Sequence, residues 1–300
     1  MSNFELNRRQ FVGGIVAGLT LATTGKAATN FAAGNTPVIA LSDGYFDMPA
    51  DFFLSTPQSL RDSLGSPVRI AANTFAYRSE TRLFLFDAGA GSGAFITEGF
   101  PTVSQLPDDL VAAGIDANEV TDIVITHMHP DHIGGLEIGG ASAFPNARIH
   151  ISNVEWKFWN NEEFAANAPD MLRPMIAEVQ RVSDVIKEHV VFHRGSASFG
   201  DGVSVMPAPG HTPGHSAIFL EGGSEDLLIT GDVMVHEDVH FANPNYGWAL
   251  DIDGELAVST RKKLLDMIVA DNLMVAAAHV TKPGLGHVDR DGDGYRFVAL

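Results

Sequence analysis

His127-x-His129-x-Asp131-His132 places three imidazoles and a carboxylate within six residues of a 300-residue chain. Neutral imidazole and carboxylate are the donors that zinc, iron, cobalt and manganese accept, and this many of them together suits more than one divalent ion. Directly upstream, Ile123-Val124-Ile125 reads as a buried strand, so the cluster falls where a strand gives way to a loop or helix. The same arrangement recurs along the chain. His211 stands in the rigid turn Ala208-Pro209-Gly210-His211-Thr212-Pro213-Gly214-His215, after a β-rich run. Asp232 follows the apolar stretch 227–230, and His279 follows the apolar stretch 273–278. Asp87 ends the run Leu83-Phe84-Leu85-Phe86 and is followed by Ala88-Gly89-Ala90-Gly91. Its carboxylate either aims above a sheet or caps its own turn. Loops at strand ends on one edge of an α/β scaffold are where sites are built.

Composition narrows the chemistry. No cysteine is present, so disulfides, thiolate catalysis and sulfur-held metals are excluded, and any metal rests on nitrogen and oxygen. The 37 acidic and 19 basic side chains give a net charge of −18, which disfavours nucleic acid and anionic membrane surfaces as partners. A small neutral or weakly charged substrate fits this balance. Hydrophobic residues make up 45 % of the chain, enough for a substantial core.

Elements that would position these donors can be read in order. The N-terminal stretch, with Arg8-Arg9, Phe11 and a glycine-broken apolar run, resembles a twin-arginine export signal. That run is too short and broken for stable membrane insertion. Residues 1–34 therefore read as a leader, with cleavage anywhere between about Ala27 and Asn35, and 35–300 as a single domain, exported to the periplasm or secreted. Strands are expected at 38–41, 68–77 and 82–86, with a surface loop around Phe52 and Phe53 that is either a lid or an anchor. A helix over 104–113 closes at Gly114. Ser152 and Glu155 have capping-box spacing before a helix bearing Trp156, Phe158, Trp159 and Phe164, whose aromatics serve the core or a substrate wall. Further helices are expected over 170–188 and 255–270.

Taken together, these motifs resemble the metallo-β-lactamase superfamily: H-x-H-x-D-H at 127–132, G-H-T-P-G-H around His211, Thr230-Gly231-Asp232, and His279, with Asp87 in the early Asp-Ala-Gly position. The resemblance implies an α/β fold of the αβ/βα type, two packed mixed sheets with helices outside and two metals at one edge. It assigns His127, His129 and His211 to one metal and Asp131, His132 and His279 to the second, with Asp232 bridging. Zinc comes first for both, and manganese, cobalt or iron suit the same donors. Asp87 and His215 would support the site from behind. Such domains often dimerise, so a homodimer is an expectation of the resemblance.

A narrower similarity, carried by Leu41-Ser42-Asp43-Gly44, Phe144-Pro145-Asn146-Ala147 and the tail through Gly294-Tyr295-Arg296-Phe297-Val298, is to methyl parathion hydrolase and its lactonase relatives. It implies hydrolysis of lactones, aryl esters or phosphotriesters by a metal-bridging hydroxide, with Asp131 as a proton shuttle and Phe95 and Trp159 as pocket aromatics. The competing class is an iron-dependent oxidoreductase on the same scaffold, although no flavin domain follows His279. A binding protein that kept the fold would be a third class, but it has no need for seven retained donors.

Overall fold

The structure, a computed structural model, describes residues 29–300. The twin-arginine-like stretch lies outside the described residues. Two seven-stranded mixed sheets form the centre, and in each the spatial order of strands follows the chain. The first runs Thr29–Ala33, Thr36–Met48, Val68–Arg78, Leu83–Phe86, Asp122–Val124, Arg148–Ser152 and Val190–His193. The second runs Ala197–Gly200, Val203–Pro207, Ser216–Leu220, Leu227–Ile229, Met274–Ala276, Leu285–Asp291 and Gly294–Ala299.

The run Leu83-Phe84-Leu85-Phe86 shows how the layers arise. Phe84 and Phe86 face the second sheet, packing with Val205, Ile218 and Ile229, while Leu83 and Leu85 face the helices outside. All four are buried, as a strand covered on both faces requires. Burying each such side chain stabilises the fold by roughly 1.5–3 kcal/mol. Helices Leu106–Ala112 and Arg173–Ile186 cover the first sheet, and Gly254–Ala270 covers the second. This is the αβ/βα sandwich expected from the motifs.

Several boundaries differ from expectation, each for a local reason. Thr29–Ala33 is an edge strand paired with Thr36–Met48, and Ala33 is in the core. The strand expected at 38–41 extends over Thr36–Met48, with a bulge at Asp43. The helix expected from 104 begins at Leu106 because Ser104 has a left-handed φ of 72°. No capping box forms: Ser152 makes no side-chain cap bond, and Glu155 turns inward. Phe52 and Phe53 are buried anchors, with Phe53–Leu54 paired to Gly247–Trp248. Among the described residues, no helix is long and apolar enough to cross a membrane.

Candidate metal centre

The donors converge where strands of both sheets end. His127, His129, Asp131 and His132 follow the strand Asp122–Val124, with Pro130 opening the one-turn helix Pro130–Ile133. His211 follows Val203–Pro207, Asp232 follows Leu227–Ile229, and His279 follows Met274–Ala276. Two groups result, His127–His129–His211–Asp232 and Asp131–His132–His279, each with donor atoms within 4.8 Å of one another. Asp232 lies between them: its Oδ2 is 3.3 Å from His211 Nε2 and 3.2 Å from His279 Nε2, and its Oδ1 is 3.2 Å from His132 Nε2. Asp131 Oδ2 stands 3.4 Å from both His132 Nε2 and His279 Nε2.

Buried polar groups normally find partners. Here His127 Nε2, His132 Nε2 and Asp232 Oδ1 are buried without a hydrogen bond. Orphaned nitrogen and oxygen atoms facing one another are what divalent ions would satisfy, so the residues fit the implied metals. The far sides of the rings agree. His132 Nδ1 meets Asp87 Oδ2 at 2.8 Å, His211 Nδ1 meets Asp251 Oδ1 at 2.9 Å, and His279 Nδ1 meets the Ala71 carbonyl at 2.7 Å. A proton placed on each Nδ1 leaves Nε2 free to donate its lone pair into the cluster.

Electrostatics follow from burial and charge. Burial, helped by the neighbouring imidazoles, pushes His127 and His129 well below the usual histidine value. Burial opposes ionisation of Asp232, but His279 and His132 hold it well below the carboxylate range. Burial also opposes charge on His279, yet Asp232 and Asp131 push it up to about 10. The carboxylates thus stay ionised and draw positive charge to the spot.

Asp87, at a left-handed φ of 62°, also accepts from the Thr126 amide and hydroxyl, both at 2.8 Å. Its carboxylate therefore ties its own turn to the histidine loop as well as orienting His132. His215 accepts the Asp232 amide on Nε2 at 3.1 Å, and burial pushes its pKa down to about 3, so it stays neutral and holds backbone. Three further carboxylates brace the site, a role that the sequence reading assigns to none of them. Asp43 occupies a β-bulge, a device that re-aims a side chain, and accepts the Ala90 and Leu106 amides at 2.7 Å each. Asp251 backs His211 and lies 3.6 Å from the buried Arg261 guanidinium. Glu155 accepts the Met128 and Gly214 amides. The Asp-Gly pair at 43–44 was a weak signal for the first, and Glu155 was visible only as a capping residue.

A narrow cavity of about 50 Å³ opens on the cluster, floored by His129, Asp131, Asp232 and His279. Its walls are Phe46, Met48, Ile70, Phe95, Ile96, Phe100, Met175, Trp248 and Leu250, and none of its lining residues is Lys or Arg. Phe95 thus lines the cavity. Trp159 does not: it is fully buried, donates Nε1 to Glu155 at 2.7 Å and packs edge-on against His129 at 5.3 Å. The expected pocket aromatic is a support behind a histidine, because its helix turns that face to the core. His236 and His240 pack on Phe53 and lie outside the cavity wall.

Known proteins share these features. The solved structure of hydrolase AbOPH in the beta lactamase superfamily superposes with a TM-score of 0.84 at 27 % identity, covering 93 % of this chain and 99 % of that one. AidC, a dizinc quorum-quenching lactonase solved with the product N-hexanoyl-L-homoserine, gives 0.81 at 26 % identity over 91 % of this chain and 97 % of that one. An N-acyl homoserine lactonase of a Bacillus species is 24 % identical over 199 residues, 64 % of this chain and 70 % of the relative. A probable metallo-hydrolase of Mycobacterium tuberculosis is 31 % identical over 136 residues, 41 % of this chain, and the match spans only 40 % of that relative's length. The family model of the metallo-beta-lactamase superfamily matches residues 68–279, the span that carries every donor of the cluster, and the chain belongs to that superfamily.

Proposed function

We propose that this chain is a two-metal hydrolase that opens lactones or cleaves aryl esters, with phosphotriesters as side substrates. The observation that carries the reading is the pair of donor groups sharing Asp232 at the floor of an apolar, cation-free cavity. Divalent ions held there would lower the pKa of a bound water towards neutrality and stabilise a developing oxyanion. His127, His129 and His211 with Asp232 would hold one ion, and His132, His279 and Asp131 the other.

Asp131 is the donor best placed to move a proton. Its side chain is 18 % exposed, while those of His132, Asp232 and His279 are 5 % or less, and it lines the cavity. A water that gives up a proton to Asp131 adds to the carbonyl carbon. The ring or ester C–O bond then breaks, and the proton leaves Asp131 Oδ for the departing oxygen. The apolar walls accept an uncharged substrate body and exclude water around it. Likeness to homoserine lactonases supports the lactone as the leading substrate class.

The test is a hydrolysis panel on zinc-reconstituted protein: lactones of several ring and chain sizes, aryl esters, phosphotriesters and a cephalosporin. Lactone or aryl ester turnover that a chelator abolishes and added zinc restores is expected. Cleavage of the cephalosporin alone would overturn the reading. Metal analysis with an oxygen-uptake assay separates it from iron-dependent oxidation.

A further inference from the structure

Glu155 is 1 % exposed and lies on the helix Asn153–Trp159, outside both donor groups. Its Oε1 accepts the Met128 amide at 3.0 Å and the Trp159 indole Nε1 at 2.7 Å, and its Oε2 accepts the Gly214 amide at 2.8 Å. Met128 lies between His127 and His129, and Gly214 closes the turn that presents His211. One carboxylate therefore ties together the two backbone segments that carry these three imidazoles. Trp159, which it also holds, is the wall behind His129. The turn lies directly on the helix: a Cβ at Gly214 would meet Glu155 N at 2.2 Å.

The second donor group is held chiefly by Asp87 on His132 and the Ala71 carbonyl on His279, and Asp87 also reaches the first group through Thr126, whose hydroxyl meets His127 Nδ1 at 3.1 Å. We propose that Glu155 is a positioning residue that sets the His127–His129–His211 group as a unit and acts on it more than on the group Asp131–His132–His279. This rests on the two-metal reading above. A glutamine cannot replace the carboxylate here. Its amide NH₂ would point a donor at a donor, on either the Gly214 side or the Met128 and Trp159 side.

The experiment is a cobalt(II) titration of metal-free wild type, Glu155→Gln and Asp87→Asn, followed by calorimetry and by the ligand-field absorption of the bound ions. Wild type should take up two ions with distinguishable spectra. Glu155→Gln should weaken one of them by about 10–100-fold, the cost typical of losing a group that orients ligands, and leave the other within about twofold. Asp87→Asn should weaken the opposite ion most, with a smaller loss at the first through Thr126 and His127. Trp159→Phe, which removes one donor and keeps a ring against His129, should show a smaller loss at the ion sensitive to Glu155. It also serves as the readout if Glu155→Gln does not fold. Equal weakening of both ions by Glu155→Gln, no weakening, or its greatest loss at the ion that Asp87→Asn weakens most would overturn the proposal. Wild type that binds no ion would instead remove the two-metal reading on which it stands.

Discussion

Asp131 combines two demands in one carboxylate: it faces His132 and His279 at 3.4 Å, and it opens to the cavity. Asp131→Asn keeps the shape and one oxygen but loses the base. The variant should keep its fold and at least one metal ion while kcat falls by about 10²–10⁴-fold, the range typical of general acid–base groups. Metal analysis and steady-state kinetics on the preferred substrate check this, and turnover near wild type would exclude the proton role. The seven donors were legible in sequence because their chemistry is rare and each follows an apolar run. Asp251 was not legible, since it lies 40 residues from His211 and its own neighbourhood gives no sign of the contact. Glu155 was legible in type but not in direction, because S-x-x-E spacing is the same whether the carboxylate reaches back to the cap or inward to Met128.

Short elements meet backbone to backbone beneath the cluster. The turn after Leu83–Phe86 presses on the turn after Pro130–Ile133, with the Gly135 amide bonded to the Gly89 carbonyl at 3.0 Å and the Ala88 amide bonded to the His132 carbonyl at 2.8 Å. Gly91 has φ of 64°, and a Cβ there would lie 2.2 Å from the Gly134 carbonyl oxygen. Gly91→Ala meets both a left-handed backbone and an immovable neighbour, and should cost about 3 kcal/mol. Because Asp87 and His132 stand on these two turns, metal content should fall with stability. Urea unfolding with metal analysis reads both, and an unchanged midpoint would refute the argument. At this scale, strand ends were readable from apolar runs stopping at glycine or histidine. Helix starts were less so. Ser104 takes a left-handed φ and its hydroxyl bonds to the Gly91 carbonyl, a contact made by the loop under the site and not by its own sequence neighbours.

The two sheets must dock before any site exists, since Asp87 and residues 127–132 come from the first and His211, Asp232 and His279 from the second. At the site, backbone bonds join them: the Ala71 amide to the His279 carbonyl at 3.1 Å, and the Asn73 amide to the Ala278 carbonyl at 2.8 Å. The far end of the histidine strand is held by charge. Asp122 is fully buried and pairs with Arg82, Arg148 and His150. Arg82 in turn reaches the Phe199 carbonyl and Asp201, which belong to the second sheet's edge hairpin. Asp122→Asn strips the counter-charge from Arg82 and Arg148 and should destabilise metal-free protein by about 3–5 kcal/mol at pH 7. Burial opposes ionisation of Asp122, but His150, Arg82 and Arg148 hold its pKa well below the ordinary 3.8. A depressed carboxylate pKa contributes stability that is present above the unfolded value and is lost as pH falls towards the folded one. The gap between wild type and Asp122→Asn should therefore be wide at pH 7 and close as the pH drops below about 4. Urea unfolding of both metal-free proteins across that range measures it, and a gap that stays constant down to pH 3 would show that this ion-paired carboxylate does not clamp the sheets.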